Sequence, residues 1–563
     1  MRASLDRRQI LVGTAALVAA GAAQAATLDA VAPRLNQVGY LPDSPKRFSL
    51  PVSSAAPRDF TVEDDDGQTV FTGRIETRVY DMTAAAGERV VVGDFSGLTT
   101  PGRFRVRMGE VSSAPFVVGD DVYGPVLRDA LRGFYIIRAN VPLDDAVTGI
   151  KHGFGHPSDA HLMVDAVSRD LTGGWYNAGD YGKWTIMAAI SASEMMWLYE
   201  LRPAAAQLVL DIPQTYNGLP DILQQARWGL DWLLKMQNAD GGVLHKVDTE
   251  PNFAWGKLPE DDPNIRAAHP ASSIDAGVFA AVMAQACRVF GPLDAAFASG
   301  CREAALKAWA WLQAHPNVTH DDPYYADKDA SQETAWAMAE IAGMTRDAAL
   351  EEQAWQRYTA FDMSNGNGLT PFLWSAPQAL GAVSLVRSGS AKTKAKAMTA
   401  ITLASDWIAT GLVSDPYGFS DYAGDYGWGS LEYGLDRACQ CMLAFALTGE
   451  QRHRDTGQKI LDYALGHNAL DRSLVTGHGT RRTEHPYHWA YRTQKIALPG
   501  WPSGGPNGQA VGADPLLAAL IAKGTAPAKC FVDACEDNGS WASNEGTTTE
   551  TAALALAIGL FSL

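Results

Sequence analysis

One carboxylate stands in a setting suited to chemistry. Asp180 lies in the stretch Gly173-Gly174-Trp175-Tyr176-Asn177-Ala178-Gly179-Asp180-Tyr181-Gly182-Lys183-Trp184, whose glycines mark a turn-rich loop and whose aromatic rings crowd around it. Loops carry sites more often than cores do. Rings such as Trp175 and Tyr176 can pack on the CH face of a pyranose while Asp180 activates a water, which would make the stretch a sugar platform with a general base set into it. The competing reading is an aromatic turn that packs two helices, and these residues alone do not choose between the two.

Such a loop needs a frame. From about Val31 to Val118 the runs are short and alternating: Phe104, Val106 and Met108 interleave with Arg103, Arg105 and Arg107, and turns fall at Asp64-Asp65-Asp66-Gly67 and Pro101-Gly102. The pattern predicts antiparallel strands with one solvated face, forming a small β-sandwich over 31–118. A boundary falls at Gly119-Asp120-Asp121, and over 122–563 the period becomes helical, as in Phe279, Met283, Ala286 and Phe290. Twelve helical segments are predicted near 123–140, 183–201, 219–237, 272–290, 293–314, 331–343, 348–362, 377–388, 394–410, 429–448, 451–466 and 548–562. Twelve helices fit six hairpins closed into a ring, an (α/α)6 barrel. A superhelical repeat array competes, but no fixed repeat period is present. Four long connections, 141–182, 238–271, 467–500 and 501–547, are where function is expected, because structureless loops of such length are uncommon otherwise.

The 563-residue chain carries a net charge of −17, which argues against a nucleic-acid partner and suits an exported enzyme with neutral substrates. Residues 1–25 read as a signal peptide, with Arg7-Arg8, an apolar run from Ile10 to Ala20 and the small-residue site Ala23-Gln24-Ala25. Its twin-arginine look predicts export across a bacterial inner membrane, to the periplasm or beyond. An ordinary secretory leader or an uncleaved anchor are the alternatives. No later segment is expected to span a bilayer. The six cysteines, Cys287, Cys301, Cys439, Cys441, Cys530 and Cys535, do not make a disulfide scaffold. An oxidising compartment permits pairs such as Cys530–Cys535 or Cys287–Cys301, though spacing asserts neither. With no paired CxxC and no HExxH, a cysteine-rich zinc site is not expected.

The Asp180 stretch resembles a segment of glycoside hydrolase family nine, whose best-known members are cellulases. The resemblance implies that Asp180 is the base that activates water, and it puts Asn177 where the family has a second aspartate that helps to hold that water. Further matches follow in order along nearly the whole mature chain. Arg34-Leu35-Asn36-Gln37-Val38-Gly39-Tyr40-Leu41-Pro42 resembles the start of the immunoglobulin-like domain found before the catalytic module in one subgroup. Asp240-Gly241-Gly242-Val243-Leu244-His245-Lys246-Val247 puts His245 where relatives touch the sugar beside the scissile bond. A lone loop histidine is otherwise more often a solvated or capping residue, and Trp255 reads equally as a platform or a packing residue. Gly466-His467-Asn468-Ala469 and Ser473-Leu474-Val475-Thr476-Gly477 also match. The family's Pro-His-x-Arg then becomes Pro486-Tyr487-His488-Trp489, so that His488 takes the histidine's part after a one-residue shift, while Tyr487 and Trp489 trade polar contacts for aromatic area. Finally, Gly539-Ser540-Trp541-Ala542-Ser543-Asn544-Glu545 resembles the segment whose glutamate is the general acid. Taken alone, a glutamate before a helix is an ordinary dipole partner.

The resemblance implies an N-terminal immunoglobulin-like sandwich followed by the (α/α)6 barrel. It also implies an inverting hydrolase of β-1,4-glucosidic bonds in cellulose-like glucans, an endoglucanase. Asp180, Glu545, Asn177 and His488 would stand at the reaction, and His245, Trp175, Tyr176, Tyr487 and Trp489 against the substrate. The alternatives are an exo-acting enzyme releasing glucosyl or glucosaminyl units from short oligosaccharides, and a catalytically weak carbohydrate-binding protein. Loss of the charge at 177 is expected to lower the pKa of Asp180 relative to a paired-aspartate site. A monomer without cofactor is expected. The cysteine that zinc-binding relatives carry after the first helix is missing beyond Phe134-Tyr135, and the family's calcium-associated Asp-Glu pair is here Gln332-Glu333. Asp327 and Asp329 add two carboxylates nearby, and calcium is left open because it wants six to eight oxygens.

Overall fold

A helix that is apolar on every side has to be buried on every side. Thr185–Leu201, Ser273–Phe290 and Thr548–Ser562 have that character, and nearly all their side chains are inaccessible to solvent. In the computed structural model, which describes residues 32–52, 59–250, 256–325, 327–360, 376–510 and 514–563, these three join Ser331–Thr345, Gln378–Ser388 and Ser430–Thr448 as an inner ring. The expected leader at 1–25 and Trp255 lie outside the described residues. The outer helices are Gly124–Ile136, Asp221–Met236, Ala295–Ala314, Ala348–Ala360, Ala391–Gly411 and Gln451–Ala464. Several of these are amphipathic; Asp221–Met236 buries Ile222, Ala226, Leu230 and Leu233 along one stripe. Thr548–Ser562 packs between Thr185–Leu201 and Ser430–Thr448, which closes the barrel. Its start is fixed by a capping box, in which the Thr547 hydroxyl accepts the N–H of Glu550 while the Glu550 carboxylate accepts that of Thr547.

Contrary to expectation, one segment has the length and composition of a membrane span. Ser273–Phe290 is 18 residues long with a mean hydropathy of 1.3, but it lies inside the ring with 89% of that span buried.

The N-terminal domain is a two-sheet sandwich. One sheet runs Gly39–Tyr40, Phe116–Val118, Gly102–Met108, Asp59–Asp64, Thr69–Arg74, with Val111–Ser112 added to Gly102–Met108; the other runs Arg47–Pro51, Glu88–Asp94, Tyr80–Met82. Phe104, Val106 and Met108 face the core, against Phe48, Phe60 and Phe95, as their alternation predicts. The expectation of purely antiparallel pairing needs one correction: Gly39–Tyr40 lies parallel to Phe116–Val118. The reason is that the preceding segment is held by the other domain. Asn36 Nδ2 donates to Asp462 Oδ1 at 2.8 Å, Gln37 Nε2 donates to the carbonyl of Asp471 at 2.9 Å, and Ser49 Oγ meets His467 Nε2 at 2.8 Å. Glu88 joins Arg34 at 2.5 Å, Tyr417 at 2.6 Å and Lys529 at 2.6 Å. The sandwich therefore rests on the helix Gln451–Ala464 and on the loops that follow it.

The long connections hold more structure than periodicity predicts. Lys183–Trp184, Lys246–Glu250 and Ile265–Ala268 form a three-stranded antiparallel sheet. Short helices cover Trp489–Gln494, Pro515–Ala522 and Trp541–Asn544. The six cysteines are all free thiols, so neither Cys530–Cys535 nor Cys287–Cys301 is bridged.

Candidate active site

The Asp180 loop is held by a buried ion cluster. Lys183 Nζ donates to Asp159 Oδ2 at 2.8 Å, to the carbonyl of Leu171 at 2.8 Å and to Asn140 Oδ1 at 3.0 Å. Arg266 reaches Asp159 Oδ1 at 3.0 Å and the carbonyl of Tyr181 at 2.8 Å. Burial disfavours the charge on Asp159, but Lys183 and Arg266 outweigh it and hold that carboxyl below its usual range. With the loop so anchored, the N–H of Asn177 closes it onto the carbonyl of Gly182 at 2.8 Å.

Asp180 is half-buried, and its Oδ1 accepts the N–H of Gly182 at 3.0 Å. Burial first, and then the neighbouring Asp248 carboxylate, push its pKa up to about 6. The sequence expectation, a lower pKa than a site with aspartate at 177 would have, did not include Asp248, which supplies a second charge from another segment. Glu545 comes from the far end of the chain, yet its Oε1 accepts the N–H of Gly179, beside Asp180, at 3.1 Å. Burial first, and then the charge of Asp180, push Glu545 up to about 8. Only glycine fits at 179, since a Cβ there would come within 2.5 Å of the Tyr487 carbonyl and 2.9 Å of Glu545 Oε1. The loop bearing Glu545 is fixed by Asp514, whose carboxylate accepts the N–H groups of Leu517 at 3.0 Å, Ser540 at 2.9 Å and Ala542 at 2.9 Å.

Both ends of the Asn177 amide are occupied. Its Oδ1 accepts the Thr548 hydroxyl at 2.6 Å, and its Nδ2 donates to the Tyr325 hydroxyl at 2.9 Å.

The aromatic candidates frame the site from behind and do not present a face to a ligand. Trp175 is 2% exposed and packs edge-on against Phe134. Tyr176 is fully buried, with its hydroxyl on His156 Nδ1 at 2.8 Å. Trp489 is buried, and so is His488, which accepts the N–H of Ala490 through Nδ1 at 3.2 Å and is pushed by burial down to about 3. His245 is 1% exposed, pairs with Asp275 through Nδ1 at 2.9 Å and stacks on His320 at 3.6 Å. Tyr487 borders the carboxylate pair through its ring and carbonyl, with its ring edge-on to Trp541. Asp159, Arg266, Asp248, Tyr325, Asp514 and Thr548 were not singled out by sequence, because their roles arise from contacts between distant loops.

Among the described residues no group of three or more His, Cys, Asp or Glu side chains is placed to hold a metal ion. Of the calcium candidates, Asp327 accepts the N–H of Asp329, and Asp329 that of Ser331, each through Oδ1. Glu333 is fully buried with no hydrogen-bond partner at either oxygen, and burial first, with the charges of Asp327 and Asp329 adding to it, raises its pKa above the ordinary glutamate value.

The fold and site define a helical barrel in which two carboxyls far apart in the sequence, Asp180 and Glu545, meet beside Gly179. Comparison with known proteins agrees. The profile of glycosyl hydrolase family 9 matches residues 123–558, and that of the cellulase N-terminal ig-like domain matches residues 31–113. The chain belongs to glycosyl hydrolase family 9. It is 32% identical to endoglucanase C of Cellulomonas fimi, over 92% of this chain and 51% of that protein. It is 30% identical to a cellulose 1,4-beta-cellobiosidase of Acetivibrio thermocellus, over 93% and 66%, so the chain spans about half and about two thirds of the length of these relatives. A xyloglucan-specific endo-beta-1,4-glucanase of Bacteroides ovatus is 31% identical over 94% of both chains. The crystal structure of the family 9 endoglucanase J30 superposes with a TM-score of 0.86 at 30% identity, covering 93% of this chain and 99% of that one.

Proposed function

We propose that this protein is an inverting endoglucanase that hydrolyses β-1,4-glucosidic bonds in cellulose-like glucans. The observation that carries the reading is the unequal pair. Asp180, pushed to about 6, and Glu545, pushed to about 8, meet across the Gly179 amide. Near pH 7 the first is mostly ionised and the second mostly protonated, which is the division of labour inversion requires. Glu545 protonates the leaving oxygen as the glycosidic C–O bond breaks. Asp180 takes a proton from the water whose oxygen bonds to the anomeric carbon from the opposite face. The names of the relatives, an endoglucanase and a xyloglucan-specific endoglucanase among them, support a β-1,4-glucan substrate. In this reading the sandwich at 31–118 braces the catalytic barrel at 122–563, the protein acts as a monomer outside the inner membrane, and any calcium would have a structural part only.

Assay of the purified protein on carboxymethylcellulose and on cello-oligosaccharides, with product lengths resolved and anomers followed by proton NMR, tests it. Rapid loss of viscosity with the α-anomer formed first is expected. First release of the β-anomer would overturn the mechanism. Release of single terminal units alone, with no viscosity loss, would replace the endo reading by the exo one.

A further inference from the structure

Asp248 lies in the strand Lys246–Glu250, which pairs with Lys183–Trp184 on one side and Ile265–Ala268 on the other. This sheet sets it against the Asp180 loop. Gly182 stands between the two acids. A Cβ at 182 would lie 3.4 Å from Oδ1 of Asp180 and 3.4 Å from Oδ1 of Asp248, so these oxygens are no more than twice that distance apart, and it would meet Nε1 of Trp184 at 2.8 Å, so the glycine keeps a side chain out of the space the three groups border. Asp248 is half-buried and oriented by its neighbours: Oδ2 accepts Lys246 Nζ at 2.8 Å, and Oδ1 accepts the N–H of Thr249 at 2.7 Å. Lys246 is fixed in turn by Asp322 at 2.5 Å. Each Asp248 oxygen retains a lone pair for another donor. The residue at 177, by contrast, has its amide engaged by Thr548 and Tyr325.

We propose that Asp248, and not Asn177, is the second group that holds the water activated by Asp180. The inference rests on the proposed role of Asp180 as base. One water O–H donates to Asp248 while the other gives its proton to Asp180, which aims an oxygen lone pair at the anomeric carbon. A carboxylate suits this place better than an amide, because a hydrogen bond to a charged acceptor is the stronger one. The site thus keeps two carboxylates beside the water, with the second carried by a strand instead of the loop.

The charged and titratable groups facing Asp180 are Asp248 and Lys246 from this strand, Arg266 from the next, Glu545 from its loop, and the phenols Tyr181, Tyr325 and Tyr487. Removing the charge of Asp248 should therefore lower the pKa of Asp180. The test measures kcat, KM and pH profiles on a cello-oligosaccharide for wild type, Asp248→Asn, Gly182→Ala and Asn177→Ala, together with a carboxyl 13C titration of Asp180, which needs no substrate. Asp248→Asn is expected to lower kcat by roughly 10- to 100-fold with KM little changed, and to move the acidic limb and the Asp180 titration down by roughly one pH unit. Gly182→Ala, whose methyl would crowd both carboxylates and press on Nε1 of Trp184, should lower kcat likewise, and read beside its circular dichroism and urea unfolding it gives a second measure of the same place if Asp248→Asn folds poorly. Asn177→Ala should leave the acidic limb in place. Wild-type kcat in both Asp248→Asn and Gly182→Ala, in a protein that Asp180→Ala inactivates, would overturn the inference. An inactive wild type would instead bring down the proposed function and this inference with it.

Discussion

Asp180 and Glu545 repel each other when both are ionised, so their two titrations belong to the pair. The sign follows from the roles. With the proposed roles, activity should fall as pH drops through about 6, where Asp180 gains a proton, and fall again as pH rises through about 8, where Glu545 loses one. A bell-shaped kcat/KM profile with limbs near those values is expected; a single limb would remove one of the two roles. Glu545→Gln should abolish turnover of unactivated oligosaccharides, spare aryl glycosides whose leaving group needs no proton, and erase the basic limb. Asp180→Ala should cost about 10²- to 10⁴-fold in kcat, the usual worth of a positioned base. Asn177→Ala removes two neutral hydrogen bonds and should cost about 1 kcal/mol apiece in stability, read by urea unfolding, with a much smaller loss of rate. Equal losses of rate would return Asn177 to the water. The two acids are legible in the sequence because each sits in a motif of several residues. Trp175 and Tyr176 were misread as platforms because sequence shows the type of a ring and not which side of a loop it is packed on. Asp248 was invisible, since only the pairing of Asp248 with Ala267 and of Trp184 with Lys246 brings it near residue 180.

Three inner helices, Thr185–Leu201, Ser430–Thr448 and Thr548–Ser562, carry acids in the closed interior: Glu194 on the first, Glu432 and Asp436 on the second, Glu550 on the third. Glu432 accepts the Thr549 hydroxyl at 2.6 Å, but neither oxygen of Glu194 has a hydrogen-bond partner. Burial, followed by the nearby Glu432, raises the pKa of Glu194 well above the ordinary glutamate value of 4.5. The unfolded chain therefore releases this proton above about pH 4.5 while the folded chain keeps it, and stability is lost as pH rises towards the folded pKa. Glu194→Met removes the buried carboxyl at similar volume. It should stabilise by about 1–3 kcal/mol at pH 8 and by less at pH 5, read by chemical unfolding at the two pH values. A destabilised variant would mean that Glu194 is paired in solution. At this scale the sequence was informative wherever a period had room to repeat. All twelve predicted segments contain a helix, although the first ends at Ile136 and not near 140. Strands of two residues, such as Lys183–Trp184, have no period to read, and their existence depends on partners more than sixty positions away.

The sandwich and the barrel are joined by polar groups that the segment Arg34–Tyr40 sends into its neighbour. The sequence marks that segment as the start of a domain, but not that Asn36 and Gln37 face residues more than four hundred positions on. His467 is a buried titratable group of the seam. Burial first, and then Lys459, Arg47 and Arg34, push its pKa from 6.5 down to about 3. Below about pH 6.5 the unfolded chain takes up a proton that the folded chain refuses, so stability falls by about 1.4 kcal/mol per pH unit until the folded histidine itself titrates near 3. Asp462, on the same seam and pushed up by burial to about 7, acts in the opposite sense, losing stability as pH rises towards that value. The slope of the wild type alone therefore mixes both, and the contribution of His467 has to be read as a difference. His467→Gln keeps a polar partner for Ser49 and removes the titration. Urea unfolding at intervals from pH 4 to pH 7 should show the wild type losing stability more steeply than the variant as pH falls, by about the same 1.4 kcal/mol per unit, with the two curves converging in slope above pH 7. Parallel curves across the whole range would mean that His467 is protonated in the folded protein, and that the seam accommodates its charge beside Lys459 and the two arginines.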